Sequence, residues 1–344
     1  VSRPVPGVTI ASAASIEQAR RLLVGATPPN SSFTQLSNFS PQKIDRALRL
    51  GMRKPAWTWF ATASSGDVLG VVAGWGSAGR RTAAILDFLD LPEDPEVTAA
   101  LFEAAAAESW EPGRDSLEII HFLSNESPDD DPQLVVFVSS LAASGFRRLV
   151  RRHRYRMPVQ STAVTIPDTR LRFEPLTGED DPRLPAIVAE ILVGSLDAHD
   201  VAALERARHS VARGANPDFA AVAKELTQEL LESDPVDSFF LAIDPGHEII
   251  GLVVGGLRGT PDIGVASFIG VSHRHRGRGY AAQLLGWMTA RLIARNAQTL
   301  IGETDDDNFP MDAAFRLVGY PHSESRIDFV RDLDPVPPVR SASP

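Results

Sequence analysis

Apolar positions along this chain follow two rhythms, one of period two and one near 3.6, and each switch between them marks an element. In residues 1–30 the spacing predicts one short helix, Ile16 to Leu23, ended by Gly25 and the Pro28-Pro29 pair. A second helix is expected from Pro41 to Leu50, with Ser40 as its N-cap. Trp57–Thr62 and Leu69–Gly74 read as strands joined by the Ser64-Ser65-Gly66-Asp67 turn, and Ile85–Leu89 as a third. An alanine-rich helix from Pro95 to Trp110, a strand from Leu117 to Leu123 and a helix from Leu134 to Ser144 follow. Leu149 to Met157, apolar with a basic edge, reads as the strand that closes this unit.

The second half repeats this order. Leu171–Pro175 reads as a strand, and Leu184–Leu196, Val201–Val211 and Phe219–Leu231 as helices. Phe239–Ile243 and Ile249–Gly255 are expected strands around the turn Asp244-Pro245-Gly246-His247. A strand Val265–Val271, a helix Gln283–Ala297, a strand Thr299–Thr304, a helix Met311–Leu317 and a strand near Ile327–Val330 complete it. Val68-Leu69-Gly70-Val71-Val72-Ala73-Gly74 parallels Ile249-Ile250-Gly251-Leu252-Val253-Val254-Gly255, and Gly145-Phe146 parallels Gly319-Tyr320. Such nearly constant offsets mark a duplicated unit. The expected organisation is therefore α+β, a mixed α/β sheet in each of two tandem domains, 1–160 and 168–335. The Pro/Ser-rich tail 336–344 is expected to be disordered.

The two copies differ most where one strand runs into its helix. In the second copy the strand ends at Val271 and is followed by Ser272-His273-Arg274-His275-Arg276-Gly277-Arg278-Gly279-Tyr280-Ala281. Glycines there allow successive N–H groups to converge, and the helix N-terminus adds partial positive charge, so the turn is suited to phosphate. It is not a Walker loop, since no Gly-Lys-Ser/Thr closes it, and the dinucleotide pattern also fails. The first copy instead has Leu89-Asp90-Leu91-Pro92-Glu93-Asp94-Pro95-Glu96, with two prolines that donate nothing and four carboxylates that repel an anion. That copy is expected to lack the phosphate loop.

Charge sharpens the contrast. Of the net −10, residues 1–168 carry −1 (17 Lys+Arg against 18 Asp+Glu) and residues 169–344 carry −9 (17 against 26). An acidic half is a poor nucleic-acid binder, so the basic cluster at 273–278 is a local exception. There is no cysteine, which excludes disulfides and thiolate chemistry. No apolar run reaches about eighteen residues, and the N-terminus lacks the form of a secretory signal, so a cytoplasmic protein without membrane association is expected.

Arg276-Gly277-Arg278-Gly279-Tyr280-Ala281 resembles the R/Q-x-x-G-x-G/A signature of the GNAT superfamily of acyl-CoA-dependent N-acyltransferases, in the expected place between strand and helix. Downstream, Asn308, Met311 and Phe315…Gly319-Tyr320 resemble that family's closing run, so the likeness spans roughly residues 169–333. The two-copy arrangement is similar to that of mycothiol synthase. The resemblance implies acetyl-CoA as cosubstrate and transfer of its acyl group to a small-molecule amine by direct attack. It implies CoA contacts from Val271, Ser272, His273, Arg276, Gly277, Arg278, Gly279, Tyr280, Ala281, Asn308 and Phe315, with the Val271 N–H as oxyanion donor.

Many members of the family protonate the leaving thiolate with a tyrosine at the position of Phe315, which cannot do so. Glu303 is the expected base or water-orienting group, with Asp305-Asp306-Asp307, Asp197 and His199 as further candidates. No metal is expected: the triple Asp reads as a solvated turn, and His273 and His275 as loop cations. The alternatives are a non-catalytic CoA- or ligand-binding protein and a scaffold with two inactive copies. A monomer or a homodimer is compatible with the sequence.

Overall fold

The computed structural model describes residues 5–26, 39–76, 78–110, 116–124, 130–160, 164–165, 167, 169–210, 219–258 and 262–333. The tail expected at 336–344 lies outside them. The first half runs β1 (Val8–Ser12), α1 (Ile16–Gly25), α2 (Pro41–Arg49), β2 (Thr58–Ala63), β3 (Val68–Trp75), β4 (Ile85–Asp90), α3 (Pro95–Ser109), β5 (Ser116–Ser124), α4 (Pro132–Ala143) and β6 (Arg147–Pro158). The second half runs β7 (Arg172–Pro175), α5 (Arg183–Leu192), α6 (Ala198–Ser210), α7 (Phe219–Ser233), β8 (Phe239–Ile243), β9 (Ile249–Leu257) and β10 (Ile263–Val271). It ends with α8 (Tyr280–Ala294), β11 (Thr299–Asp305), α9 (Phe309–Val318) and β12 (His322–Asp332).

The repeat is visible in detail. Single 3₁₀ turns at Pro55–Trp57 and Val236–Ser238 lead into β2 and β8, and α3 and α8 are both 15 residues long. Strand β1 was not expected from the sequence. It is short and alternates half-buried with exposed positions, so its apolar signal is weak. Ser40 stands at the N-cap of α2, but its hydroxyl makes no capping bond.

Two compact units result, one of residues 1–150 with 324–344 and one of residues 151–323. Strand order is β1-β2-β3-β4-β5-β12 in the first and β7-β8-β9-β10-β11-β6 in the second. These units differ from the domains 1–160 and 168–335 by an exchange of closing strands. Residues 152–158 of β6 pair antiparallel with β11, and residues 324–332 of β12 with β5. Alternating burial says that a strand exists and which face it buries, but not which open edge it joins.

In the second unit α8 and α9 pack on one face of the sheet through Leu284, Leu285, Met288, Leu292 and Phe315, around Tyr155 and Met157. Helices α5, α6 and α7 cover the other through Leu184, Val188, Leu192, Leu204 and Val222. Gly251 is required in β9, because a Cβ there would lie 2.2 Å from the Gly270 carbonyl oxygen. In the first unit α3 and α4 pack on one face with Trp57 and Trp59, and α1 and α2 on the other with Val71 and Phe88.

Candidate functional site

Strand β10 stays paired with β9 to its end, Val271 opposite Gly251, with a bulge at Ser267. Its parallel pairing with β11 covers only Ile263–Val265 against Thr299–Ile301. Beyond that point the two strands part, and β10 presents a bare edge. The Ser272 N–H donates to the Ile250 carbonyl on the β9 side at 2.9 Å. Successive N–H groups of a strand point to opposite edges, so that of Val271 is aimed at the edge β11 has left.

The loop after β10 begins as a single 3₁₀ turn, His273–His275. Gly277 and Gly279 then adopt φ of 75° and 76°, the left-handed region that other residues reach at a cost. A Cβ on either would meet no atom within 4 Å, so backbone conformation and not packing demands glycine, and the space before the loop is open. Gly279 is the N-cap of α8 and supplies no side-chain cap. Among the described residues, none of the N–H groups from Gly277 to Ala282 has a protein acceptor. Six unpaired donors at a helix N-terminus without an acid in its first turn form a cradle for an anion.

In the first unit the corresponding turn is closed to anions. The Asp94 carboxylate accepts from the Glu96 N–H at 2.8 Å, and prolines occupy positions 92 and 95. That helix start is already capped by negative charge.

The basic side chains around the cradle are largely committed elsewhere. Arg274 pairs with Glu190 of α5 at 2.8 Å, and the Glu190 carboxylate also receives the Ser272 hydroxyl at 3.2 Å. His273 lies 3.1 Å from the Glu190 carbonyl, and His275 3.4 Å from Glu248. Arg276 donates to four carbonyls: Val271 at 3.2 Å, Ile191 at 2.5 Å, Val193 at 2.8 Å and Gly194 at 2.5 Å. Burial lowers its pKa from the usual arginine value, with Asp200 opposing. Arg276, expected from the sequence among the CoA contacts, here joins Arg274 in fastening the loop to the end of α5. Among the described residues Arg278 alone of these cations has no side-chain partner, and it is exposed. Tyr280 and Ala281 open α8 and are half-buried. Beside them a groove of about 310 Å³ is lined by Thr169, Arg170, Leu171, Pro245, Tyr280 and Gln283.

Across the gap, Asn308 is the N-cap of α9, its side chain accepting from the Met311 N–H at 3.3 Å. Phe315 belongs to the core cluster beneath the start of α8. It is 1% exposed, stacked on Tyr155 at 4.2 Å, with its ring where any Cβ of Gly302 would stand. The expected cofactor contact through its side chain is therefore corrected to a core role.

Glu303 and Asp305 lie on the stretch of β11 that has left β10. Their register partners on β6 are Arg154 and Arg152. Arg154 holds Glu303 at 2.5 Å, and Arg152 lies 2.8 Å from both Asp305 and Asp197. Asp305 also accepts from the Ala198 N–H at the start of α6 (2.6 Å). Burial lifts its pKa to about 6, with Arg152 opposing and Asp197 adding to the rise. Asp200 is likewise lifted to about 6, by burial first and then by Asp197, against the hydrogen bond from Ser195. His199 Nδ1 lies 3.0 Å from Arg152; a guanidinium only donates, so that nitrogen accepts and the proton is assigned to Nε2. Sequence reading missed Arg152, Arg154 and Asp200. The signal for the first two was an Arg-x-Arg alternation in β6 matching Glu-x-Asp in β11.

No helix among the described residues is long and apolar enough to cross a membrane. Residues 204–320 match the family model described as acetyltransferase (GNAT) family. Among solved structures, a GCN5-related N-acetyltransferase from Sphaerobacter thermophilus is similar over 97% of this chain and 98% of its own, at 14% identity and a TM-score of 0.57. A tandem GNAT protein from the clavulanic acid biosynthesis pathway is similar over 96% and 100%, at 15% identity and a TM-score of 0.52. A glucosamine N-acetyltransferase region in a fungal multi-domain GH3 β-N-acetylglucosaminidase matches 94% of this chain and 38% of its own, at 15% identity and a TM-score of 0.55. Residues 204–320 are thus similar to the GNAT acetyltransferase family, within a mixed α/β fold shared with a tandem GNAT protein.

Proposed function

We propose that the second unit transfers an acetyl or other acyl group from its CoA thioester to the amine of a small molecule. The observation that carries this reading is the row of unpaired amides from Gly277 to Ala282 beside a bare strand edge. The cradle and Arg278 receive the diphosphate. The pantetheine arm lies along β10 as an added strand, past Asn308. The amine attacks the thioester carbonyl carbon, the Val271 N–H stabilises the oxygen as it gains charge, and the C–S bond then breaks to release the thiolate. Most of the acceleration comes from placing amine against thioester in a closed groove.

Proton removal falls to the acidic end of β11. Asp305 is tuned closer to neutrality than an ordinary carboxylate, while Glu303 has the greater access, 18% exposed against 0% for the side chains. The net charge of the second half favours a cationic acceptor.

A second reading, CoA binding without transfer, is favoured by one observation: the position at which many relatives place a tyrosine holds a core phenylalanine. The test is acetyl-CoA binding by calorimetry and thiol release with an amine panel, in wild type and Gly279→Asp. Binding lost in the variant with the fold retained, and thiol released by wild type, are expected. Equal affinity in the two proteins overturns the cradle assignment, and binding without thiol release selects the second reading.

A further inference from the structure

The connection between α5 and α6, residues 193–197, is fastened at both ends to the strands that part. At one end Arg276 takes the carbonyls of Ile191, Val193 and Gly194, the last turn of α5 and its continuation. A cation there also answers the negative end of the helix. Gly194 sits at φ 62°, and a Cβ on it would touch the guanidinium at 3.5 Å. The same guanidinium reaches the Val271 carbonyl through Nε. At the other end, Asp305 receives the Ala198 N–H, and Arg152 joins Asp305 to Asp197. Val193 and Leu196 are exposed along this strap.

We propose that Arg276 is a positioning residue: it holds the 193–197 strap against the end of β10, and so sets the amine's approach to the Val271 N–H, without binding phosphate through its side chain. This rests on the acyl-transfer reading above. Four of the five guanidinium donors are engaged with carbonyls, which leaves no two-pronged face for an anion. A lysine, a point charge with three donors, cannot span four carbonyls in this geometry.

The test compares wild type, Arg276→Lys and Arg276→Ala with two donors, acetyl-CoA and S-acetylpantetheine, which lacks the diphosphate. Misplacement of about 1 Å costs on the order of 10²-fold in rate, so kcat should fall by that order with both donors while the KM for acetyl-CoA stays near wild type. Lysine should rescue poorly, and added guanidinium ion should restore part of the Arg276→Ala rate. Amide exchange at Ser195, whose N–H bonds the Leu192 carbonyl at 3.1 Å, should quicken in both variants. A raised KM for acetyl-CoA with an unchanged rate on the truncated donor would make Arg276 a diphosphate ligand and overturn the proposal. If wild type transfers to no amine, the acyl-transfer reading fails first; the exchange measurement then still decides, and unchanged exchange overturns the strap.

Discussion

Because each closing strand is exchanged, the boundary suggested by the sequence repeat and the boundary set by packing predict different autonomous fragments. The second unit is contiguous, residues 151–323, and the decisive piece is β6. Starting at 160 removes Tyr155 and Met157, each 0% exposed. Losing a buried aromatic side chain costs about 3–5 kcal/mol and a buried methionine about 2–5 kcal/mol. Asp305 would also lose Arg152, and stranding a buried carboxylate costs about 3–5 kcal/mol. The low ends already sum to about 8 kcal/mol, against about 5–15 kcal/mol for the whole stability of a typical domain. Fragment 151–323 is therefore expected to unfold cooperatively in urea with native near-ultraviolet circular dichroism, and fragment 160–323 to show neither. A peptide of residues 147–160 added in trans should restore the transition. If 160–323 unfolds at the same midpoint as 151–323, the reasoning about β6 is wrong.

Two further outcomes follow from individual groups. Asp200 has its folded pKa raised to about 6, so the native unit keeps a proton that the unfolded chain has released between roughly pH 4 and 6. That contribution is present below this window and lost as pH rises through it, about 3 kcal/mol for a rise of some two units. Asp200→Asn should make the fall in urea stability from pH 4 to 7 shallower without abolishing it, since Asp305 and Asp234 shift in the same direction; an unchanged slope refutes the assignment. Phe315→Tyr, which restores the residue many relatives carry, should lower the melting temperature without raising kcat. The added hydroxyl enters a filled core between Gly302, Tyr155 and Tyr320, a cost of about 1–3 kcal/mol. A faster enzyme of unchanged stability would refute that.

Those groups also mark where sequence reading succeeded and where it stopped. The glycine turn was legible because it depends on local chemistry: two residues without a Cβ, basic neighbours and a helix start. The apolar face of α8 was legible for the same reason, since its period is a property of one segment. Phe315 was misplaced because a motif position carries an expected role, whereas its burial is decided by Gly302 on β11 and Tyr155 on β6. The carbonyl contacts of Arg276 were not legible, because three of the four partners lie 82 to 85 positions away in the chain.

The two bulges carry the duplication further than residue identity does. In the first unit β4 bulges at Asp87, whose carboxylate pairs at 2.6 Å with Arg53, two residues before the 3₁₀ turn at Pro55. In the second unit β10 bulges at Ser267, which bonds Asp234, two residues before the turn at Val236, with Arg258 supplying the charge at 2.5 Å. The brace joins the same two places in both units, the bulge and the residue two before the turn, but with different chemistry: Asp87 to Arg53 in the first, Ser267 to Asp234 with Arg258 added in the second. Breaking a buried pair costs about 3–5 kcal/mol, which applies to Arg53 and Asp87; the Arg258 side chain is 39% exposed, so its pairing with Asp234 is worth less. In the turn that follows, the amides of the second unit lack protein acceptors among the described residues, whereas in the first Pro92 and Pro95 have no N–H and Asp94 accepts from the Glu96 N–H. Both units thus combine a bulged strand with a short parallel pairing to its neighbour, and they differ in the turn that follows, whose amides are free of protein acceptors only in the second.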